Sequence, residues 1–158
     1  MDSIGELFTK YIMRNPRDFK SIMASSDTKL TFEQLSSLFK YEKSYVEGLR
    51  EMEDNTIYLF EQFLVELENG AAETDVTLRN ILTFMTGADT IPPNGFEKQI
   101  TIKFFDRENE KDKRLPYAST CALDFFLPRG LDMDKSEELE SQMNLAIKLG
   151  LAAGFGKC

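Results

Sequence analysis

Hydrophobic residues recur every three or four positions in three segments of this chain, the spacing of helices that bury one face. Asn55 and Asp75 belong to the residue types that cap the starts of helices, and Gly70 and Gly87 to the type that ends them. The sequence therefore predicts three amphipathic helices. The third helix spans residues 135–149, with Asp134 or Ser136 as its cap. The apolar stripes of the three helices are, in order, Ile57, Phe60, Leu64 and Leu67; Leu78, Ile81, Leu82 and Met85; and Leu139, Met143, Ala146 and Ile147.

Two other segments alternate between apolar and polar positions, which is the period of a strand with one buried face. Residues 99–105 form the first, and the second follows Cys121. The intervening charged residues 106–114 read as a solvated loop, and Pro92-Pro93-Asn94-Gly95 as a turn. Shorter apolar groups before residue 45 suggest further helices, with a boundary at Pro16; they are Leu7, Tyr11 and Ile12, then Phe32, Leu35, Leu38 and Phe39. We expect an α+β fold, a small β-sheet packed with helices and preceded by a helical N-terminal extension.

Composition narrows the classes of function. A chain of 158 residues, 42% hydrophobic, can form one core with a smaller packed segment. Two cysteines and no hydrophobic leader indicate a cytoplasmic or nuclear setting, and no apolar run approaches a membrane span. A net charge of −8 disfavours nucleic acid, because the one local basic cluster is Lys111, Lys113 and Arg114. A basic protein partner is electrostatically easier.

The sequence contains no histidine. Cysteine proteases and thiol-dependent deubiquitinases pair their sulfur with an imidazole base, so these classes are nearly excluded. Zinc sites built from Cys-x-x-Cys pairs or histidine clusters are excluded by the same inventory, and we expect neither a metal nor a cofactor. Exchange of an acyl group between two thiols remains, because its leaving group is itself a good thiolate.

Cys121 is the candidate nucleophile. Pro116 disfavours helix before it, and Ser119 and Thr120 favour local bonds between side chain and backbone, so we place the thiol in a loop that enters the second strand. If that strand began earlier, Cys121 would be a small core residue, which is the commoner fate of a free cysteine. In the loop, neighbouring amides and Thr120 could stabilise a thiolate or a tetrahedral oxyanion, and Arg114 could add positive potential.

The chain resembles the C-terminal lobe of HECT-type ubiquitin-protein ligases over roughly residues 55–158. Residues 30–54 resemble more loosely the end of the N-terminal lobe and the hinge between lobes. We therefore divide the chain into a helical segment, 1–54, and a catalytic lobe, 55–158. The matching segments are Ile81-Leu82-Thr83-Phe84-Met85-Thr86-Gly87, Pro93-Asn94-Gly95-Phe96, Arg114-Leu115-Pro116, Thr120-Cys121, Leu127-Pro128 and Gly154-Phe155-Gly156.

The resemblance implies a mechanism and partners. Cys121 would accept ubiquitin as a thioester from a ubiquitin-conjugating enzyme and pass it to a lysine of a protein substrate. Thr120 would support the thiol, and Phe155 in the tail would position the thioester. Serine stands at position 119, where many members carry histidine, and no acidic residue lies beside Phe155. Most of an N-terminal lobe is absent from the sequence, so we expect a fragment or a truncated relative.

Two other functions fit the same residues. The chain could be a non-catalytic ubiquitin-binding or scaffold module that retains the fold. It could also be a thiol redox sensor, provided that Cys121 and Cys158 lie close enough to form a disulfide.

Overall fold

The computed structural model of the protein describes residues 29–109 and 114–153. The predictions on Leu7, Tyr11, Ile12 and Pro16 lie outside these residues. Within them, four helices pack against one face of a four-stranded mixed sheet, which confirms the α+β class. The elements in chain order are α1 (Phe32–Ser36), β1 (Phe39–Tyr41), α2 (Glu47–Asn69), α3 (Leu78–Thr86), β2 (Ile100–Phe105), β3 (Tyr117–Ser119), β4 (Asp124–Pro128) and α4 (Ser136–Ala153).

Helix α2 begins at Glu47, eight residues before the start predicted at Asn55. The buried face of its first half carries the polar residues Glu53 and Thr56, both fully buried, so the hydrophobic pattern is interrupted there. Both polar groups are satisfied by hydrogen bonds: the Thr56 hydroxyl donates to the carbonyl of Pro128 at 2.9 Å, and Glu53 is bonded as described below. The helix ends as predicted, with Gly70 in the left-handed conformation at φ 72°.

Helix α3 has its predicted end but a different cap. Thr77, and not Asp75, is the N-cap: its hydroxyl accepts from the Asn80 amide, and the Asn80 side chain accepts from the Thr77 amide. Asp75 instead forms an exposed ion pair with Lys148 of α4 at 3.2 Å. Gly87 ends the helix at φ 83°.

The sheet has the order β1-β2-β4-β3. Strand β2 pairs in parallel with β1 and with β4, and β3 pairs antiparallel with β4. The sequence predicts strand β2 but not β1 or β3, which have three residues each; it places Leu38 and Phe39 in a helical group and residues 117–119 in a turn. The helix-facing side of the sheet forms the core with α2, α3 and α4 through Phe39, Ile100, Ile102, Phe125 and Leu127.

A network of ion pairs joins α2 to the loops after β2 and β4. Arg129 contacts Glu53 and Asp106, both at 2.7 Å, and the carboxylate of Glu53 also accepts from the Ser44 amide at 2.7 Å. Burial alone would lower the pKa of Arg129, but its hydrogen bonds to Asp106 and Glu53 outweigh this and raise it. The network ties the segment before α2 to the end of β4, across the boundary we predicted between residues 54 and 55.

Two further partly buried side chains, Arg107 and Tyr41, link loops and strands to the helices. Arg107, in the loop we had expected to be solvated, has a side chain only 8% exposed; it donates to Glu138 at 2.9 Å and to the carbonyl of Gly130 at 3.1 Å. Tyr41 of β1 donates to Glu61 of α2 at 2.6 Å. Burial and this hydrogen bond raise the pKa of Tyr41 far above its ordinary value.

Candidate active site

Cys121 is exposed and lies in a four-residue turn, residues 120–123, which joins β3 to β4. The turn is held at its base by the antiparallel pairing of Ser119 with Asp124 and of Ala118 with Phe125. This confirms that the residue is in the loop entering the strand and contradicts the alternative of a core cysteine. A side chain at the tip of a hairpin can reach a macromolecular thioester without a cleft being opened.

The far side of the turn is anchored by Leu123. Its side chain is buried, with 8% exposed, and its carbonyl accepts a hydrogen bond from the Thr101 amide of β2 at 2.9 Å. Its φ of 57° is in the left-handed region and is the one positive φ of a non-glycine among the described residues. Leucine seldom adopts this conformation. The left-handed residue reverses the chain so that Cys121 faces solvent while Leu123 faces inward. Nothing in the sequence signalled this, because leucine is not a residue type that marks such a turn.

A polar pair lies at the start of β4, beside the turn. Asp124 accepts from Lys103 of β2 at 3.2 Å, and its side chain is only 14% exposed. Lys103 also lies 5.9 Å from the ring centre of Phe126. The carboxylate is thus already engaged by a cation, and we assign it no role as a base.

The other cation considered for the site, Arg114, lies against an aromatic cluster. Its guanidinium is 5.1 Å from the ring centre of Phe105, and it donates to the carbonyl of Asp106. The ring of Tyr117 stacks on that of Phe126, with 4.4 Å between the ring centres, and its centre lies 5.6 Å from that of Phe105. These rings lie on the face of the sheet opposite the helices. Arg114 therefore covers this aromatic surface, and the contacts described for it do not involve the thiol.

Thr120 is partly buried beside the thiol in the same turn. Cys121 is disulfide-bonded in the structure, and Cys158, with which the redox alternative pairs it, lies outside the described residues. Phe155 also lies outside them, so its predicted role in the tail stays a prediction. A thioester at Cys121 requires that the sulfur first be reduced.

No three histidine, cysteine, aspartate or glutamate side chains in residues 29–109 and 114–153 are placed to hold a metal ion. In the same part of the chain, no helix has the length and apolarity needed to cross a membrane.

The sequence model of the HECT-domain (ubiquitin-transferase) family matches residues 8–157, nearly the whole chain. The chain belongs to the HECT-domain family. Membership confirms the resemblance drawn from the motifs between residues 81 and 156 and agrees with the α+β fold.

A curated relative of this HECT-domain chain is the G2/M phase-specific E3 ubiquitin-protein ligase of Gallus gallus. The two are 50% identical over 42 residues, which are 27% of this chain and 5% of the relative. The match therefore covers a small part of a much longer protein.

Proposed function

We propose that this HECT-domain chain acts as a ubiquitin-protein transferase lobe in which Cys121 is the acceptor of ubiquitin. The observation that carries the proposal is the exposed position of Cys121 on a hairpin turn anchored at both ends, in a chain of this family. Its partners are ubiquitin, a ubiquitin-conjugating enzyme and a protein with an acceptor lysine, with the cytoplasm or nucleus as the place of action.

The reaction has two acyl transfers. The Cys121 thiolate attacks the carbonyl carbon of the donor thioester, a tetrahedral oxyanion forms, and the donor thiolate leaves. A substrate lysine amine then attacks the new thioester; the Cys121 thiolate leaves, and the amine loses a proton. The first transfer exchanges one thioester for another and is close to isoenergetic, so the lowering of its barrier depends mainly on positioning.

The hairpin supports this step by fixing the turn and by placing hydrogen-bond donors near the thiol. The pairing of Ser119 with Asp124 and the bond from Thr101 to Leu123 fix the two ends of the turn. Thr120 and the turn amides are near enough in sequence to donate to a thiolate or an oxyanion. An unperturbed thiol has a small thiolate fraction at neutral pH and is still strongly nucleophilic, so histidine is not required for this step.

The direct test uses the full chain, reduced beforehand, with ubiquitin activated as a small-molecule thioester. This donor avoids dependence on parts of a longer ligase. On non-reducing gels we expect a thiol-sensitive adduct with the native chain and with Cys158→Ser, and none with Cys121→Ser. An adduct that persists in Cys121→Ser, or that is lost only in Cys158→Ser, would refute the assignment. Ubiquitin binding without any adduct would instead support the scaffold alternative.

The disulfide at Cys121 favours a second candidate, in which oxidation turns the transferase off. Two thiols and hydrogen peroxide would give one disulfide and two waters, and the sulfur would then be unable to attack a thioester. Intact mass after mild peroxide treatment should fall by two hydrogens in the native chain and in neither cysteine variant. The same treatment should abolish adduct formation until a reductant is added. A loss of adduct that a reductant does not restore would contradict reversible control.

A further inference from the structure

A second surface lies in the groove between the end of α2 and α4. The groove has a volume of about 800 Å³, within the range of peptide and small-molecule sites. One wall is the last part of α2 and the loop after it, and the other is a single face of α4. The lining residues used below are Glu66 and Glu73 on the first wall and Glu137, Glu140 and Leu145 on the second.

The groove has a strong excess of negative charge. Four carboxylates line it, those of Glu66, Glu73, Glu137 and Glu140, and none of them has an ion-pair partner among the described residues. Among the described residues that line the groove, Lys148 is the one cation, and it is already paired with Asp75 at 3.2 Å. The charges in the groove are therefore not balanced within the described part of the chain.

The groove also has an exposed apolar side. Leu145 is 49% exposed in the groove, and Leu149, one helical turn further along, is 56% exposed. The surface thus combines carboxylates with an apolar strip.

We propose that this groove binds an amphipathic, basic helix of another protein. Lysine and arginine side chains are cationic hydrogen-bond donors, so they match the carboxylates. The apolar face of such a helix would cover Leu145 and Leu149, in the helix-in-groove mode of peptide recognition. A second copy of this acidic chain fits less well, because it would bring like charges together. The proposal does not depend on the role of Cys121.

The test is a titration of the isotopically labelled, full-length native chain, followed by amide chemical shifts. The probes are a helical peptide built from leucine and lysine and a matched peptide built from leucine and glutamate. The basic peptide should give saturable shifts in residues 71–73 and 137–149, and the acidic peptide should give none. Shifts centred elsewhere, or no saturable shifts, would overturn the proposal.

Charge-matched variants separate the groove from the general attraction of a basic peptide to an acidic protein. Glu137→Gln with Glu140→Gln should weaken binding about fivefold, the loss expected for two partly exposed ion pairs. Glu51→Gln with Glu97→Gln makes the same change in net charge at exposed sites outside the groove and should leave the affinity within about twofold. Equal weakening in both double variants would show that only net charge matters and would refute the site. Leu145→Ser at this half-exposed position should also weaken binding.

Discussion

The left-handed conformation of Leu123 can be isolated by comparing Leu123→Ala with Leu123→Gly. Both substitutions remove the buried side chain, and they differ only in the Cβ atom. At an ordinary helix or strand position, alanine is the more stable of the two by about 0.5–1 kcal/mol, because glycine loses more backbone entropy on folding. At φ 57° the order should reverse.

The size of the reversal follows from two opposing effects. The left-handed conformation destabilises a residue with a Cβ atom by about 1–2 kcal/mol, which favours the glycine variant. The greater backbone entropy of glycine in the unfolded chain favours the alanine variant by about 0.4–1 kcal/mol. Leu123→Gly should therefore be more stable than Leu123→Ala by about 1 kcal/mol. Leu123→Ala should lower the free energy of unfolding by about 2 kcal/mol relative to the native chain. This is the lower end of the range for buried leucine-to-alanine substitutions, because Leu123 is buried outside the main core cluster.

The assay is equilibrium unfolding in urea under reducing conditions, followed by far-ultraviolet circular dichroism. The free energy of unfolding should fall with urea concentration at the same slope in all three proteins. Differences in the urea concentration at half-unfolding then measure differences in stability. A glycine variant no more stable than the alanine variant would refute the strained turn. Our account of how Cys121 is turned towards solvent would then be wrong as well.

Three further predictions concern residues distant from the thiol. Arg129→Ala should destabilise the protein by about 3 kcal/mol in the same assay, because it leaves the carboxylate of Glu53 buried without its cation; a loss below about 1 kcal/mol would contradict this. Above pH 10 the phenol of Tyr41 ionises in the unfolded chain but stays protonated in the folded one, so the free energy of unfolding should fall as the pH rises. The fall should be steeper in the native chain than in Tyr41→Phe, by up to about 1.4 kcal/mol per pH unit, and equal slopes would refute this. Thr77→Ala should cost about 1 kcal/mol, and Asp75→Ala, which removes an exposed ion pair, should cost less; the reverse order would restore Asp75 as the cap.

The accuracy of the sequence predictions depended on whether the determining interaction was local. Gly70 and Gly87 end their helices as expected, because a left-handed cap is a local property of glycine. The start of α2 was missed because Glu53 and Thr56 are buried through partners about 70 residues away, which no periodicity can show. Strands of three residues are too short to establish a period of two, so β1 and β3 were missed for that reason.

The same distinction applies to the candidate site. Proline and hydroxyl residues near Cys121 were enough to place the thiol in a loop. The antiparallel β3, the left-handed Leu123 and the pairing of Asp124 with Lys103 all depend on the assembled sheet. Sequence thus predicted which residue lies in the turn but not how the turn is held.

The order of strands in the sheet has a consequence for synthesis of the chain. The hairpin of β3 and β4 closes between neighbouring segments, but β1 pairs with β2 through Phe39 and Ile100, and β2 pairs with β4 in parallel. As the ribosome extends the polypeptide from its amino terminus, β1 emerges long before its partner. Its edge, and the apolar face of α2, stay open until residue 100 has left the exit tunnel. A chaperone that recognises nascent chains should therefore bind this protein during that interval and dissociate once β4 is complete.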